Sequence, residues 1–187
     1  MSPTPDARSP RLSLAVQYAV PARGLPSRAQ LRRWARAALE RDARVTVRIV
    51  GGNEGRALNR RFRGKSRPTN VLTFVMRDRP RLEGDLALCA PVIAREARAQ
   101  RRNTAAHYAH LVVHGVLHLQ GYDHQDERDA RRMERRESQI VVGLGYPDPY
   151  GSGGRREERG KGKKGRGDPR ARRIASRLPP PASPAYG

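Results

Sequence analysis

Residues 114–124 read His-Gly-Val-Leu-His-Leu-Gln-Gly-Tyr-Asp-His. His114 and His118 are four apart, so on a helix they lie one turn apart on the same face. Gly121 can end that helix, because only glycine enters the left-handed cap conformation cheaply. The chain can then turn back and carry His124 toward the first two imidazoles. Three neutral nitrogen ligands without a fourth protein ligand leave an open position for water, the arrangement of a catalytic metal site. Imidazole suits zinc, nickel, copper and iron; one zinc ion per chain is expected, with nickel or another divalent metal as the alternative. His107 and His110 fall on nearly the same face, but a helix advancing ~1.5 Å per residue cannot bring every one of these rings to one ion. His110 is therefore expected to back a ligand or to pack, and His107 to lie peripheral to the site. Asp123 either orients a ligand imidazole from outside the coordination sphere or stabilises the turn.

The spacing His-x3-His is also that of the peptidase motif His-Glu-x-x-His, whose glutamate is the general base. Gly115 occupies the glutamate position, so the spacing survives without the proton acceptor. A metal held by three neutral ligands keeps its full dipositive charge, which suits an anionic phosphodiester. A second constellation lies upstream: Arg60, Arg61, Arg63, Lys65 and Arg67 fall within eight positions. Such a run is either a solvated basic helix end or a clamp of arginine forks on phosphate.

The whole chain of 187 residues carries a formal charge of +21. From Gly151 onward there are 11 basic and 3 acidic residues, a net +8 that leaves +13 on residues 1–150. The body is therefore basic in its own right, and a polyanionic partner such as nucleic acid is expected. The single Cys89 sits in the apolar run Leu86 to Ala90 and reads as a small buried side chain. A reducing cytoplasmic setting suits it. No run reaches the ~20 apolar residues of a membrane span, and the first residues have no apolar stretch of the kind a signal peptide needs.

The elements that must position these residues follow from periodicity. Residues 1–10 are expected to be a disordered tail, 11–150 a single domain, and 151–187 a disordered basic Gly/Pro-rich tail. Strands are expected over 11–20, around Val45, Val47 and Ile49, over 71–75 and over 82–90, with Gly84 marking a bulge or a close backbone approach. Ser27 and Gln30 form a capping-box signature for a helix over 28–41 carrying Leu31, Trp34, Ala35, Ala38 and Leu39, with Trp34 as a core anchor. Asn53 is expected to cap a helix to about Phe62 with Ala57, Leu58 and Phe62 inward. Pro91 opens a helix to about Gln100, Thr104 opens the motif helix, and Asp126 caps the last helix through Val142. The motif helix is apolar on almost every side, so it is central and buried, and histidines there need partners.

Taken together, these stretches resemble the YbeY family of bacterial endoribonucleases, the rRNA maturation factors. The resemblance rests on Leu58-Asn-Arg-Arg-Phe-Arg63-Gly-Lys65, Pro68-Thr-Asn-Val-Leu-Thr-Phe74, Gly84-Asp-Leu86, the histidine motif and Leu144-Gly-Tyr-Pro-Asp-Pro-Tyr150. It spans about residues 12–150. The chain departs from the family at Ser66, where an acid is common, and at Val75, where proline is common. The resemblance implies a small α/β (α+β) sandwich with a mixed sheet of about four strands and a zincin-like metal-binding helix. It implies zinc on His114, His118 and His124 and Arg63 acting on the RNA phosphate; on the clamp reading of the basic run, Arg60, Arg61, Lys65 and Arg67 bind RNA around it. The implied activity is single-strand-specific RNA cleavage in late 16S rRNA 3′-end maturation and ribosome quality control. The small ribosomal subunit and assembly factors are the implied partners. Two other readings remain at this stage: a zincin-like metallopeptidase, and a non-catalytic ribosome-assembly factor with a structural metal.

Overall fold

Val45, Val47 and Ile49 point to one side of a strand, and that side is sealed from solvent. In the computed structural model, which describes residues 8–122 and 126–151, this strand is β2 (Ala43–Val50). β1 (Leu12–Tyr18) pairs parallel with it on one side and β4 (Leu82–Cys89) on the other; β3 (Val71–Arg77) closes the far edge, antiparallel to β4. The sheet order is β1-β2-β4-β3, a mixed four-stranded α+β arrangement as expected. Five helices accompany it among the described residues: α1 (Arg28–Ala37), α2 (Gly52–Arg63), α3 (Ala90–Ala99), α4 (Thr104–Leu119) and α5 (Glu127–Gly143).

Alternation along the strands sorts the helices into layers. Val45, Val47, Ile49, Leu86 and Leu88 face the main core, which they share with α1, α4 and α5 through Trp34, Val112, Val116, Met133 and Val141. Val50, Leu72, Ala87 and Cys89 face the other way and pack beneath α2 through Leu58 and Phe62. Trp34 and Cys89 are both buried, as their positions in apolar patterns implied.

Three local expectations are corrected. The first helix ends at Ala37 rather than 41, because Gln120 captures its end: the Gln120 amide donates to the Ala38 carbonyl and accepts from the Glu40 N–H, each at 2.7 Å. The second helix is capped by Gly51 rather than Asn53, with the Gly55 N–H returning to the Gly51 carbonyl. Ala57 is exposed; the inward positions are Gly55, Leu58, Asn59 and Phe62, which follow the i, i+3, i+4, i+7 stripe that Ala57 lies off. The capping box at Ser27 and Gln30, by contrast, is reciprocal as read.

Close approach at two glycines seats α4 on the sheet. A Cβ at Gly84 would lie 2.4 Å from a Leu119 methyl and 2.8 Å from the Phe74 carbonyl oxygen. The β3–β4 register also shifts beside Gly84, so both readings of this glycine hold. At Gly115 a Cβ would lie 2.7 Å from a Leu86 methyl. Because one obstacle at Gly84 is backbone, Gly84→Ala should destabilise the fold by about 1–3 kcal/mol. Urea unfolding checks this; a midpoint equal to that of the parent protein would mean that the sheet and α4 are not held at this separation.

Candidate metal centre

Asn103 caps the N-terminus of α4, its side-chain oxygen accepting from the N–H groups of Ala105 and Ala106. At the other end the Tyr122 N–H returns to the Leu117 carbonyl and the Gly121 N–H to that of His118, with Gly121 at φ +97°. This is the glycine-terminated stop read from the sequence. Tyr122 is then pinned: its hydroxyl donates to Glu40 at 2.8 Å and the Arg132 guanidinium lies over its ring. The chain is next described at Asp126, whose carboxylate accepts from the Asp129 N–H and starts α5. Asp123 and His124 fall between these two anchored ends and lie outside the described residues.

His110, His114 and His118 follow one another along a single face of α4. The rings of His114 and His118 meet edge to face with centroids 4.5 Å apart; His110 and His114 are 6.2 Å apart. Behind them, on α5, stands a residue that sequence reasoning missed. Glu137 is fully buried, and its two oxygens take one imidazole each, His114 Nδ1 at Oε1 and His110 Nε2 at Oε2, both at 2.8 Å. The Tyr150 hydroxyl donates to Oε2 as well. Burial alone would raise the Glu137 carboxyl. The hydrogen bonds from His110, His114 and the Tyr150 hydroxyl outweigh it and hold the group well below the usual carboxylate range. A signal for Glu137 did exist: Met133, Ile140, Val141 and Leu144 make the inward stripe of α5, and Glu137 sits on it.

His110, His114 and Glu137 present one ligand atom each within 4.8 Å of one another, close enough to hold a metal ion. Two tetrahedral ligands of one zinc are roughly 3.3 Å apart, given Zn–N bonds of about 2.0–2.1 Å. The 2.8 Å contacts to Glu137 are tighter and are direct hydrogen bonds. With Nδ1 of His114 given to a carboxylate, its Nε2 carries the lone pair and lies on the other side of the ring, as a metal-binding imidazole requires. The donor set therefore fits a divalent ion. Gly115 does not fit the peptidase alternative, since its Cα faces the Leu86 side chain inside the core and a glutamate there would meet the sheet.

His107, expected to be peripheral, is instead buried and bonded to Glu96 at 2.9 Å, with Asn70 donating to the same carboxylate oxygen at 3.0 Å. Burial raises the Glu96 carboxyl, but these bonds from His107 and Asn70 pull it below its ordinary value. The chain Asn70–Glu96–His107 ties the segment after α2 to the motif helix. The basic constellation sits at the other end of that segment. Arg60, Arg61 and Arg63 ride on the last turn of α2, while Lys65 and Arg67 follow Gly64, which caps α2 at φ +65°. The buried Asn59 amide donates to the Arg67 carbonyl, and the Arg61 guanidinium lies over Phe62. All five basic side chains are exposed. Helix α2 packs on the face of the sheet opposite α4, and the loop after it is tied back to α4 through Asn70, Glu96 and His107.

The description "Endoribonuclease YbeY" belongs to the family whose pattern matches residues 26–145. The endoribonuclease YbeY of Methylobacillus flagellatus is 56% identical over 143 residues, covering 76% of this chain and 96% of the relative. That of Nitrosomonas eutropha is 55% identical over 137 residues, covering 73% and 97%. Among solved structures, the solution structure of TM1509 from Thermotoga maritima aligns at a TM-score of 0.49 with 24% identity, covering 71% of this chain and 88% of that one.

The geometry predicts one tautomer for His114. Long-range proton–nitrogen NMR on metal-free protein at neutral pH should show the proton on Nδ1, and Glu137→Gln should shift population toward Nε2–H, because the amide puts an NH2 donor in place of one of the two oxygens that the imidazoles meet. A wild-type proton on Nε2 would contradict the assignment.

Proposed function

This chain belongs to the endoribonuclease YbeY family, and from that premise we propose that it is a metal-dependent, single-strand-specific endoribonuclease of late 16S rRNA 3′-end maturation and ribosome quality control. The observation that carries the metal dependence is the Glu137–His114 bond, which holds one imidazole as a ligand with a second, His118, against it. His114, His118 and His124 would hold the ion, zinc in the first instance, and Glu137 would orient His114 from behind. When bound, the ion supplies Lewis acidity and a water of lowered pKa.

The chain's own side chains do the rest. Arg63, exposed at the end of α2, takes a non-bridging oxygen of the scissile phosphate in its guanidinium fork and neutralises charge that develops there. Arg60, Arg61, Lys65 and Arg67 hold the flanking phosphates and set the register of the strand. Gly64 and Asn59 fix the loop that carries them. The Asn70–Glu96–His107 chain ties that loop to α4, so that the basic loop and the histidines keep one spacing. Ribosomal RNA in the small subunit is the proposed partner, with assembly factors beside it, in the cytoplasm. Among the described residues no helix is long and apolar enough to cross a membrane. The basic stretch that follows Gly151 adds a sequence-independent attraction to RNA.

His114→Ala should lower zinc content and cleavage of a defined rRNA precursor together. Arg63→Ala should keep the zinc and slow cleavage by about 100-fold, the loss typical of one transition-state donor. An Arg63→Ala protein that cleaves at the parent rate would remove the phosphate clamp from this reading. Deleting residues 152–187 should weaken RNA binding and flatten its dependence on salt, by about 0.7 in the log–log slope for each single-strand phosphate the tail had neutralised. Identical slopes for the two proteins would mean that the tail does not touch RNA.

A further inference from the structure

Tyr150 is a large aromatic residue that is 45% exposed, yet its hydroxyl reaches a carboxylate with no exposure at all. So exposed a ring contributes little by its own burial; what reaches the interior is the phenol oxygen. That oxygen donates to Glu137 Oε2 and lies 3.3 Å from His110 Nε2, while the ring stands edge-on to His110 with centroids 5.5 Å apart. The segment carrying it belongs to no helix or strand. It is strapped down by bonds from two separate elements. Arg102, in the turn between α3 and α4, donates to the Pro149 carbonyl at 2.6 Å. Ser138, the neighbour of Glu137 on α5, donates to Asp148 Oδ1 at 2.7 Å, and the same oxygen accepts from the Tyr150 N–H at 2.9 Å. The backbone N–H of Tyr150 and the Ser138 hydroxyl hold the Asp148 carboxyl below its usual range, so the strap keeps its anion.

We infer that Tyr150 is a positioning residue of the metal centre: its hydroxyl fixes the Glu137 carboxylate so that one oxygen stays committed to His114. The inference rests on the reading above that His114 is a metal ligand. The reason for a third donor lies in competition. His110 and His114 claim opposite oxygens of one carboxylate, at equal distances of 2.8 Å. A small rotation of the carboxylate would favour His110 and loosen His114. The phenol holds Oε2 on the His110 side from a second direction, so the rotation would break two bonds rather than one. A carboxylate offers about four lone-pair sites, enough for all three donors. His114 Nδ1 then keeps its acceptor, and Nε2 keeps its lone pair and its aim.

The test is zinc affinity of the full chain, by competition with a chromogenic chelator, together with thermal unfolding of the metal-free protein and the His114 tautomer by NMR. Tyr150→Phe keeps the ring on His110 and removes only the hydroxyl. It should weaken zinc binding about 10-fold, the lower end of the range for loss of a partner behind a ligand, and should raise the Nε2–H population of His114. The metal-free unfolding temperature should fall by several degrees at most, as for the loss of one neutral hydrogen bond, so affinity and tautomer decide the test. Ser138→Ala, which frees the strap without touching the phenol, should move affinity in the same direction by a smaller factor. If Tyr150→Phe binds zinc like the parent while His114→Ala does not bind, the positioning role is wrong and the metal reading stands. If His114→Ala binds like the parent, the metal reading itself fails. A Tyr150→Phe protein with lowered unfolding temperature and unchanged affinity and tautomer would reduce Tyr150 to a structural clasp and overturn the inference.

Discussion

A fully buried carboxylate constrains everything around it. Glu137 has no solvent to share its charge, so its oxygens must be matched by donors from the protein. They come from α4, through His110 and His114, and from the segment after α5, through Tyr150. Losing a charged partner of a buried carboxylate typically costs about 3–5 kcal/mol, and losing a neutral donor about 1–3 kcal/mol. The rotation of α4 about its axis is thereby locked to α5, because only one face of α4 can meet Glu137 with two imidazoles a turn apart. The same lock decides which nitrogen of His114 looks outward. Folding and imidazole orientation are set by one group.

That lock acts on a helix with little other means of choosing an orientation. α4 is apolar on nearly all sides, with Tyr108, Val112, Val113, Val116 and Leu117 all buried, so hydrophobic burial alone would tolerate several rotations. Contact at Gly84 with Leu119 and at Gly115 with Leu86 fixes its height above the sheet. Polar pairs fix the remaining angle: His107 with Glu96 near one end, His110 and His114 with Glu137 further along. Asn70 shares the Glu96 carboxylate, so the loop that brings the arginines is adjusted by the same pair. Two carboxylates on flanking helices thus hold the histidine face and the basic segment in one frame.

Much of this was legible in the sequence, and the division is physical. Strands and helix starts follow short-range patterns: alternation at Val45, Val47 and Ile49, the Ser27–Gln30 box, Asp126 before α5. The stop at Gly121 follows from the only residue type that tolerates φ +97°. Where long-range partners decide, the patterns fell short. The end of α1 is set by Gln120, 82 residues from Ala38 along the chain, and no local rule contains that bond. His107 has a spacing that looks idle until Glu96 is placed beside it. Glu137 interrupts an apolar stripe, which marks it as paired, yet nothing in one dimension says with what. Tyr150 left no periodic signal because it belongs to no periodic element.

The position of the strap also bears on the charge of the chain. Gly151 follows Tyr150 directly, and from it onward the sequence carries 11 of the 39 basic residues. Their covalent origin is therefore one residue from the phenol that touches Glu137. Under the proposed function, a polycation tethered there would raise the local concentration of RNA near the histidine face, an effect of linkage that needs no new specific contact. Such attraction reads phosphate and not sequence, and it fades as salt rises. Selection among RNA sites would then fall to the folded body, where Gly64 and Asn59 hold the exposed arginines in a fixed loop. A net +13 on residues 1–150 means that the body attracts the same polyanion by itself. On the proposed reading, the tail would set how often RNA is held at the site, and the loop after α2 would set which phosphate is placed there.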